Sequence, residues 1–152
     1  KGQGTIFTVY LPAIEIDVMA EKKTDEELMR GCENVLIVDD EELILDVGQR
    51  LLRRMGYSVL IARNGKEAIE IYSRRKGDIE MVILDMIMPD MSGGEVYDKL
   101  RKINPGVKVL LSSGCSLRGQ ATDILARGCM GFIQKPFNMR ELSHKLREVI
   151  EG

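Results

Sequence analysis

The sequence predicts an α/β fold in which five parallel strands alternate with five helices, and the helices cover both faces of the sheet. Three observations carry this reading. From Asn34 onward, five short runs are apolar at nearly every position: Val35–Val38, Val59–Ala62, Met81–Leu84, Val107–Leu111 and Gly131–Gln134. Runs of that length and uniformity suit strands buried on both faces, as parallel strands are. Between the runs lie segments whose apolar residues recur at helical spacing. Three of these segments open on a polar cap with Glu three residues on, the arrangement of a capping box: Asn64 with Glu67, Ser92 with Glu95, and Asn138 with Glu141. Regular β-α alternation implies right-handed crossovers and helices on both sides of one parallel sheet.

Taken in order, residues 1–12 read as a strand, with β-branched and aromatic residues in Thr5-Ile6-Phe7-Thr8-Val9-Tyr10 stopped by Pro12. Residues 13–33 hold seven acidic and three basic residues and read as a linker, with a short helix near Glu26–Arg30. After the first apolar run, Ile44, Val47, Leu51 and Met55 fall on one helical face, which Gly56 can end. After the second, Ala68, Ile71 and Tyr72 form a stripe. After the third, Val96, Leu100 and Ile103 form another; its opening Gly93-Gly94 lacks the Walker spacing and reads as a turn and helix start. Ala121, Ile124 and Leu125 follow the fourth run and close at Gly128, while Leu142, Leu146, Val149 and Ile150 follow the fifth.

Composition narrows the function classes. The chain has 152 residues, enough for one domain with some extra sequence. Its formal net charge of -2 provides no basic field for nucleic acid. No apolar run approaches the roughly 18 residues of a membrane span, and no signal peptide is visible. Cys32, Cys115 and Cys129 lack metal-type spacing and read as free thiols of a reducing cytoplasm. His144 reads as a surface residue and the methionines as core filler, with Met86, Met88 and Met91 as possible contacts for a partner.

The chemistry sits at the strand ends. In open α/β sheets ligands bind beyond the carboxyl ends of the strands, at a topological switch point. Here the first run ends in Asp39-Asp40, the third in Asp85, the fourth in Ser113 and the fifth in Lys135. With a flavodoxin-like strand order of 2-1-3-4-5, these ends converge on one cleft. Three carboxylates side by side repel, which raises their pKa values. A divalent cation relieves that repulsion, and hard oxygen ligands with few carboxylates favour Mg2+. One carboxylate is then available as a nucleophile toward phosphorus, with the Ser113 hydroxyl and the Lys135 ammonium holding the phosphoryl oxygens. Taken alone, Asp39-Asp40 could equally be a helix cap with first-turn acids.

The segments VLIVDDEE, VILDMIMPDMSG, VLLSSG and GFIQKPF, in this order and spacing, resemble the receiver domain of two-component response regulators over about residues 34–151. The resemblance implies that Asp85 is the phosphoacceptor, served by a partner histidine kinase. It implies that Asp40 ligates Mg2+ directly, that Asp39 acts mainly through a metal-bound water, and that the Ile87 backbone carbonyl is the third protein ligand. Ser113, preferred to Ser112, matches the switch hydroxyl and Phe132 the switch aromatic. Lys135 matches the phosphate-binding lysine, Lys135-Pro136 the usual cis peptide, and Gly114 the small residue beside the phosphoryl group. Residues 1–12, with Gly2-Gln3-Gly4-Thr5 before the strand-like segment, resemble the last glycine box and final strand of a histidine-kinase ATPase domain. That second resemblance implies the C-terminal piece of a hybrid histidine kinase, with relay to a histidine phosphotransfer protein and a cytoplasmic location in a parent that can be membrane-anchored.

Rival readings are weaker. A haloacid-dehalogenase phosphatase wants a second acid two residues after its nucleophile, where this chain has Ile87. A flavin module wants a Ser/Thr/Gly loop after the first strand, where this chain has Asp39-Asp40-Glu41-Glu42. A receiver-like docking module that is never phosphorylated is the remaining alternative. Kinase motifs are absent, so the expected catalysis is confined to the chain's own aspartyl phosphorylation and dephosphorylation. No helix-turn-helix pattern follows Ile150 to support DNA binding.

Overall fold

A computed structural model describes Gly4, Thr8, residues 28–114 and residues 120–152, with Gln120 described for its backbone alone. Apart from Gly4 and Thr8, the strand read over residues 1–12 lies outside the described residues, as do most of the linker and Cys115. Leu28, Met29 and Arg30 are not helical.

The strands are β1 (Asn34–Val38), β2 (Ser58–Ala62), β3 (Met81–Asp85), β4 (Val109–Ser113) and β5 (Gly131–Gln134). They alternate with the helices α1 (Glu42–Arg54), α2 (Gly65–Arg75), α3 (Gly93–Ile103), α4 (Gln120–Ala126) and α5 (Met139–Glu151). The sheet is wholly parallel, in the order β2-β1-β3-β4-β5. β4 starts at Val109 instead of Val107; Val107 is buried in the turn before it.

Period-two alternation along the strands sends side chains to two separate core layers. Leu36, Val38, Val82, Leu84, Val109 and Leu111 pack against α2, α3 and α4. Val35, Ile37, Met81, Ile83, Leu110 and Ile133 pack against α1 and α5. Every residue of β3 and β4 is buried, which explains their unbroken apolar runs. Full burial of each Leu or Ile contributes about 1.5–3 kcal/mol.

The helix starts differ in detail. Ser92 and Glu95 form the reciprocal capping box at α3. Asn64 and Asn138 accept from the backbone N–H of Glu67 and Glu141, so both cap their helices. The Glu67 carboxylate, however, accepts from Arg63 N–H, one residue ahead of the cap. α1 has no side-chain cap: its N-cap is Glu41, so Asp39 and Asp40 lie ahead of the helix.

The face assigned to α1 from sequence is displaced. Leu45, Gly48 and Leu52 are the buried residues of the helix, whereas Val47 is 47% exposed. Gly48 faces the sheet so closely that a Cβ there would stand 2.4 Å from Ile37 Cδ1. A helix with apolar residues on both sides admits two stripes, and only the position of the sheet selects one.

The end of the linker is seated on the domain. Gly31 N–H donates to the Met55 carbonyl and Ser58 N–H to the Glu33 carbonyl, each at 3.1 Å. The Arg147 guanidinium reaches the Glu33 carboxylate at 2.6 Å and lies 5.6 Å over the Tyr57 ring. Gly56 turns here with φ +100°, and a Cβ would sit 2.4 Å from the Gly31 carbonyl. Cys129 is a buried free thiol on the Val109 carbonyl, with its pKa pushed up by burial, and Cys32 is exposed. His144 is exposed on α5. No helix among the described residues is long and apolar enough to cross a membrane.

Candidate functional site

The chain leaves β1 for β2 on one side and reaches β3 on the other, so the switch point lies between the carboxyl ends of β1 and β3. Asp39, Asp40 and Asp85 meet there, each offering a carboxylate oxygen within 4.8 Å of the others. Asp39 and Asp85 are buried, at 2% and 5% exposure, and Asp40 is exposed. Asp39 is held at both ends: its N–H donates to the Ala62 carbonyl, and its Oδ1 accepts from Glu41 N–H at 3.0 Å. Asp85 Oδ2 accepts from Ile87 N–H at 3.0 Å.

Lys135 closes the site from β5. Its Nζ stands 2.5 Å from Asp39 Oδ2 and 2.7 Å from Asp85 Oδ1. Its backbone N–H donates to the Ser113 carbonyl at 2.8 Å, which ties the ends of β4 and β5 together. The Lys135-Pro136 peptide is cis. Ser113 is buried and lines the cleft, as does the exposed Gly114, where a Cβ would meet nothing within 4 Å. Ser112 is absent from the lining, and its carbonyl is taken by Met86 N–H. Phe132 is half-buried against the core layer on the α4 side.

The electrostatics differ from the sequence argument in their cause. The Asp85 carboxyl is pushed up chiefly by burial, partly opposed by Lys135; the Asp39 charge adds a smaller push. For Lys135, burial works downward, but the hydrogen bonds to Asp39 and Asp85 outweigh it and hold the ammonium above its ordinary value. Three carboxylates against one ammonium leave a formal charge of about -2 on hard oxygen donors, which suits a divalent cation such as Mg2+.

The cleft is about 640 Å³ and has two characters. Asp40, Asp85, Ser113 and Lys135 form its polar end, and Ile44, Val47, Ile87 and Phe137 extend it along α1. Ile87 is 63% exposed, whereas Met86 and Met88 are only 6% and 7% exposed. Met86 and Met88 therefore belong to the core and are not available as partner contacts, whereas Met91 is only partly buried against the same core layer. Val47 and Phe137 escaped the sequence reading as cleft residues; Phe137 directly follows Lys135-Pro136 in a segment that the reading had already singled out. Asp90, given no role from sequence, accepts from Gly65 N–H and Lys66 N–H at the start of α2. Gly93 lies so close to the site that a Cβ would stand 2.5 Å from the Asp85 carbonyl oxygen.

A five-stranded parallel sheet with acids and a lysine at these strand ends defines a receiver module. The profile of the response regulator receiver domain matches residues 35–147, and the chain belongs to that family. It is similar to the sensor kinase CckA of Brucella abortus, with 33% identity over 159 residues, 99% of this chain and 17% of that protein. The chain thus spans about a sixth of that relative. Among solved structures it is similar to the receiver domain of the hybrid histidine kinase CckA, with 30% identity, a TM-score of 0.65, and coverage of 77% of this chain and 98% of that one. The fold also matches the receiver domain of sensor histidine kinase PA1611 from Pseudomonas aeruginosa, solved with a magnesium ion coordinated in its active-site cleft, at TM-score 0.72 and 22% identity, covering 80% of this chain and 100% of that one.

Proposed function

We propose that Asp85 takes a phosphoryl group from the phosphohistidine of a histidine kinase, with Mg2+ beside it. The observation that carries this is the cluster of Asp39, Asp40 and Asp85 at the switch point, spanned by Lys135. Asp40, Asp85 and the Ile87 carbonyl would hold the cation. Asp39, whose two oxygens already accept from Glu41 and Lys135, would act on it through water. Bound there, Mg2+ supplies positive charge against the phosphoryl oxygens.

The chain's own groups do the rest. An Asp85 carboxylate oxygen forms the new bond to phosphorus while the phosphorus–nitrogen bond breaks, and the electron pair stays on the imidazole nitrogen. The Lys135 ammonium, already 2.7 Å from Asp85, neutralises charge as it moves onto the phosphoryl oxygens. The Ser113 hydroxyl donates to one of those oxygens, and the open space at Gly114 admits the group. Ser113 moves toward the phosphoryl group and Phe132 follows, reshaping the face of α4, β5 and α5.

The parent reads as a hybrid histidine kinase, with residues 34–151 as its receiver, 13–33 as linker and 1–12 as the end of its ATPase domain. The likeness to a sensor kinase over 99% of this chain supports that reading, because it runs past the receiver into the first residues. The partners are then a histidine kinase and a histidine phosphotransfer protein, in the cytoplasm.

The test is the intact mass after incubation with Mg2+ and a small acyl phosphate. One added phosphate, lost with hydroxylamine and absent from Asp85→Asn, is expected. Ser113→Ala should accept the phosphate yet lose the accompanying shift of amide resonances. No phosphate from any donor would replace this reading with that of a docking module.

A further inference from the structure

The loop from Asp85 to Ser92 carries both the nucleophile and Ile87, so whatever holds this loop sets the geometry of the acidic cluster. Beyond the hydrogen bond from Met86 N–H to the Ser112 carbonyl, three attachments hold it. Met86 and Met88 are sunk in the core. Gly93 N–H donates to the Met86 carbonyl at 3.0 Å. The third is Asp90, whose Oδ1 accepts from Gly65 N–H at 3.2 Å and whose Oδ2 accepts from Lys66 N–H at 3.3 Å.

The first amides of a helix have no partner within it, and a carboxylate there also meets the positive end of the helix dipole. At α2, Asn64 takes the Glu67 N–H, which leaves those of Gly65 and Lys66. Asp90 takes both. Gly65 is packed against the same loop: a Cβ there would stand 2.6 Å from Val96 Cγ2 and 3.1 Å from Met91 Cβ. The start of α2 and the loop after β3 are thus clamped together, and of the residues between the clamps Ile87 alone is both exposed and bonded to Asp85.

We propose that Asp90 is a positioning residue for the phosphoacceptor site: by seating the loop on α2 it fixes the Ile87 N–H that orients Asp85 and the Ile87 carbonyl offered to the cation. The proposal rests on the reading of this site as a Mg2+-dependent phosphoacceptor. Partners one shell beyond a metal's ligands typically change its affinity by 10–100-fold, and Asp90 acts one step further out through backbone, so Asp90→Ala should weaken Mg2+ binding about 3- to 10-fold.

The experiment uses the 152-residue chain. Mg2+ affinity is read by titration calorimetry, the rate of acyl-phosphate labelling by mass, and exchange of the Ile87 amide by NMR in Mg2+-free protein. Asp90→Ala should weaken Mg2+, slow labelling, and speed Ile87 exchange without any metal. Asp90→Asn keeps one acceptor oxygen and should fall between wild type and Asp90→Ala. Asn64→Ala removes the other cap of α2, whose hydrogen bond goes to Glu67 N–H within the helix, and should leave all three readouts at wild-type values while lowering thermal stability. Wild-type readouts in Asp90→Ala would overturn the proposal, as would Asn64→Ala matching Asp90→Ala. Equal effects of Asn and Ala at position 90 would assign the change to lost charge and overturn it too. A wild-type chain that binds no Mg2+ would instead overturn the reading of the site itself.

Discussion

Lys135 is the strongest single test of the electrostatics, because among the described residues both ion pairs to the buried acids come from its ammonium. Lys135→Met keeps most of the aliphatic stem and removes the charge. Side-chain exposures are 14% for Lys135, 2% for Asp39 and 7% for Asp85, so two carboxylates are left nearly dry without a counterion. Removing one partner of a buried pair costs about 3–5 kcal/mol. The cleft opens to solvent beside the exposed Asp40, which screens part of this, so a loss of about 2–3 kcal/mol at pH 7.5 is expected without metal. For a chain of this length that lowers Tm by roughly 4–12 °C. Mg2+ should reverse the loss: at a hundred times Kd a ligand of the native state adds about 2.7 kcal/mol. Its increment should be larger in the variant, where no ammonium competes for the carboxylates. Thermal melts with EDTA and with Mg2+ decide the matter. A variant that melts within about 1 °C of wild type in EDTA, or gains no more from Mg2+ than wild type does, would refute the account.

Two further expectations follow from the same geometry. Because burial raises the Asp85 pKa, the native state binds more protons than the unfolded chain in that window, so Asp85 lowers stability as pH rises from about 3.9 through the raised value. Subtracting the urea midpoints of Asp85→Asn from those of wild type, both in EDTA, should show this descent, and a flat difference curve would contradict it. Arg147→Ala removes the Glu33 pair, the two hydrogen bonds to the Tyr57 hydroxyl and the contact over the ring, at a cost of about 1–2 kcal/mol, and should speed exchange of the Gly31 amide that donates to Met55. Unchanged protection of Gly31 would show that the linker end is held without Arg147.

The strands and their order of appearance were legible because β3 and β4 are buried throughout, so their apolar runs report burial directly. Caps and glycine stops were legible for the same local reason: Ser92 with Glu95 acts within one helical turn. The site residues could be proposed because acids and a lysine fall at strand ends, and a parallel sheet carries all those ends to one edge. Other features lay beyond the reach of periodicity. Ile44 and Val47 continue a good helical stripe, yet the sheet buries Leu45, Gly48 and Leu52 instead. Met86 and Met88 follow Asp85 as a loop would, yet point into the core. Hydrogen bonds from Lys135 to Asp39 and Asp85 span 96 and 50 positions, and those from the first amides of α2 to Asp90 span 25 and 24. By itself the sequence determined the elements, their alternation and the chemical types at the strand ends, since each depends on a few neighbouring residues. Only the tertiary structure decided which face of α1 is buried, which charges pair and what braces the acidic loop. Those depend on where crossovers bring distant segments within about 3 Å, a distance that hydrogen bonding requires and local pattern does not encode.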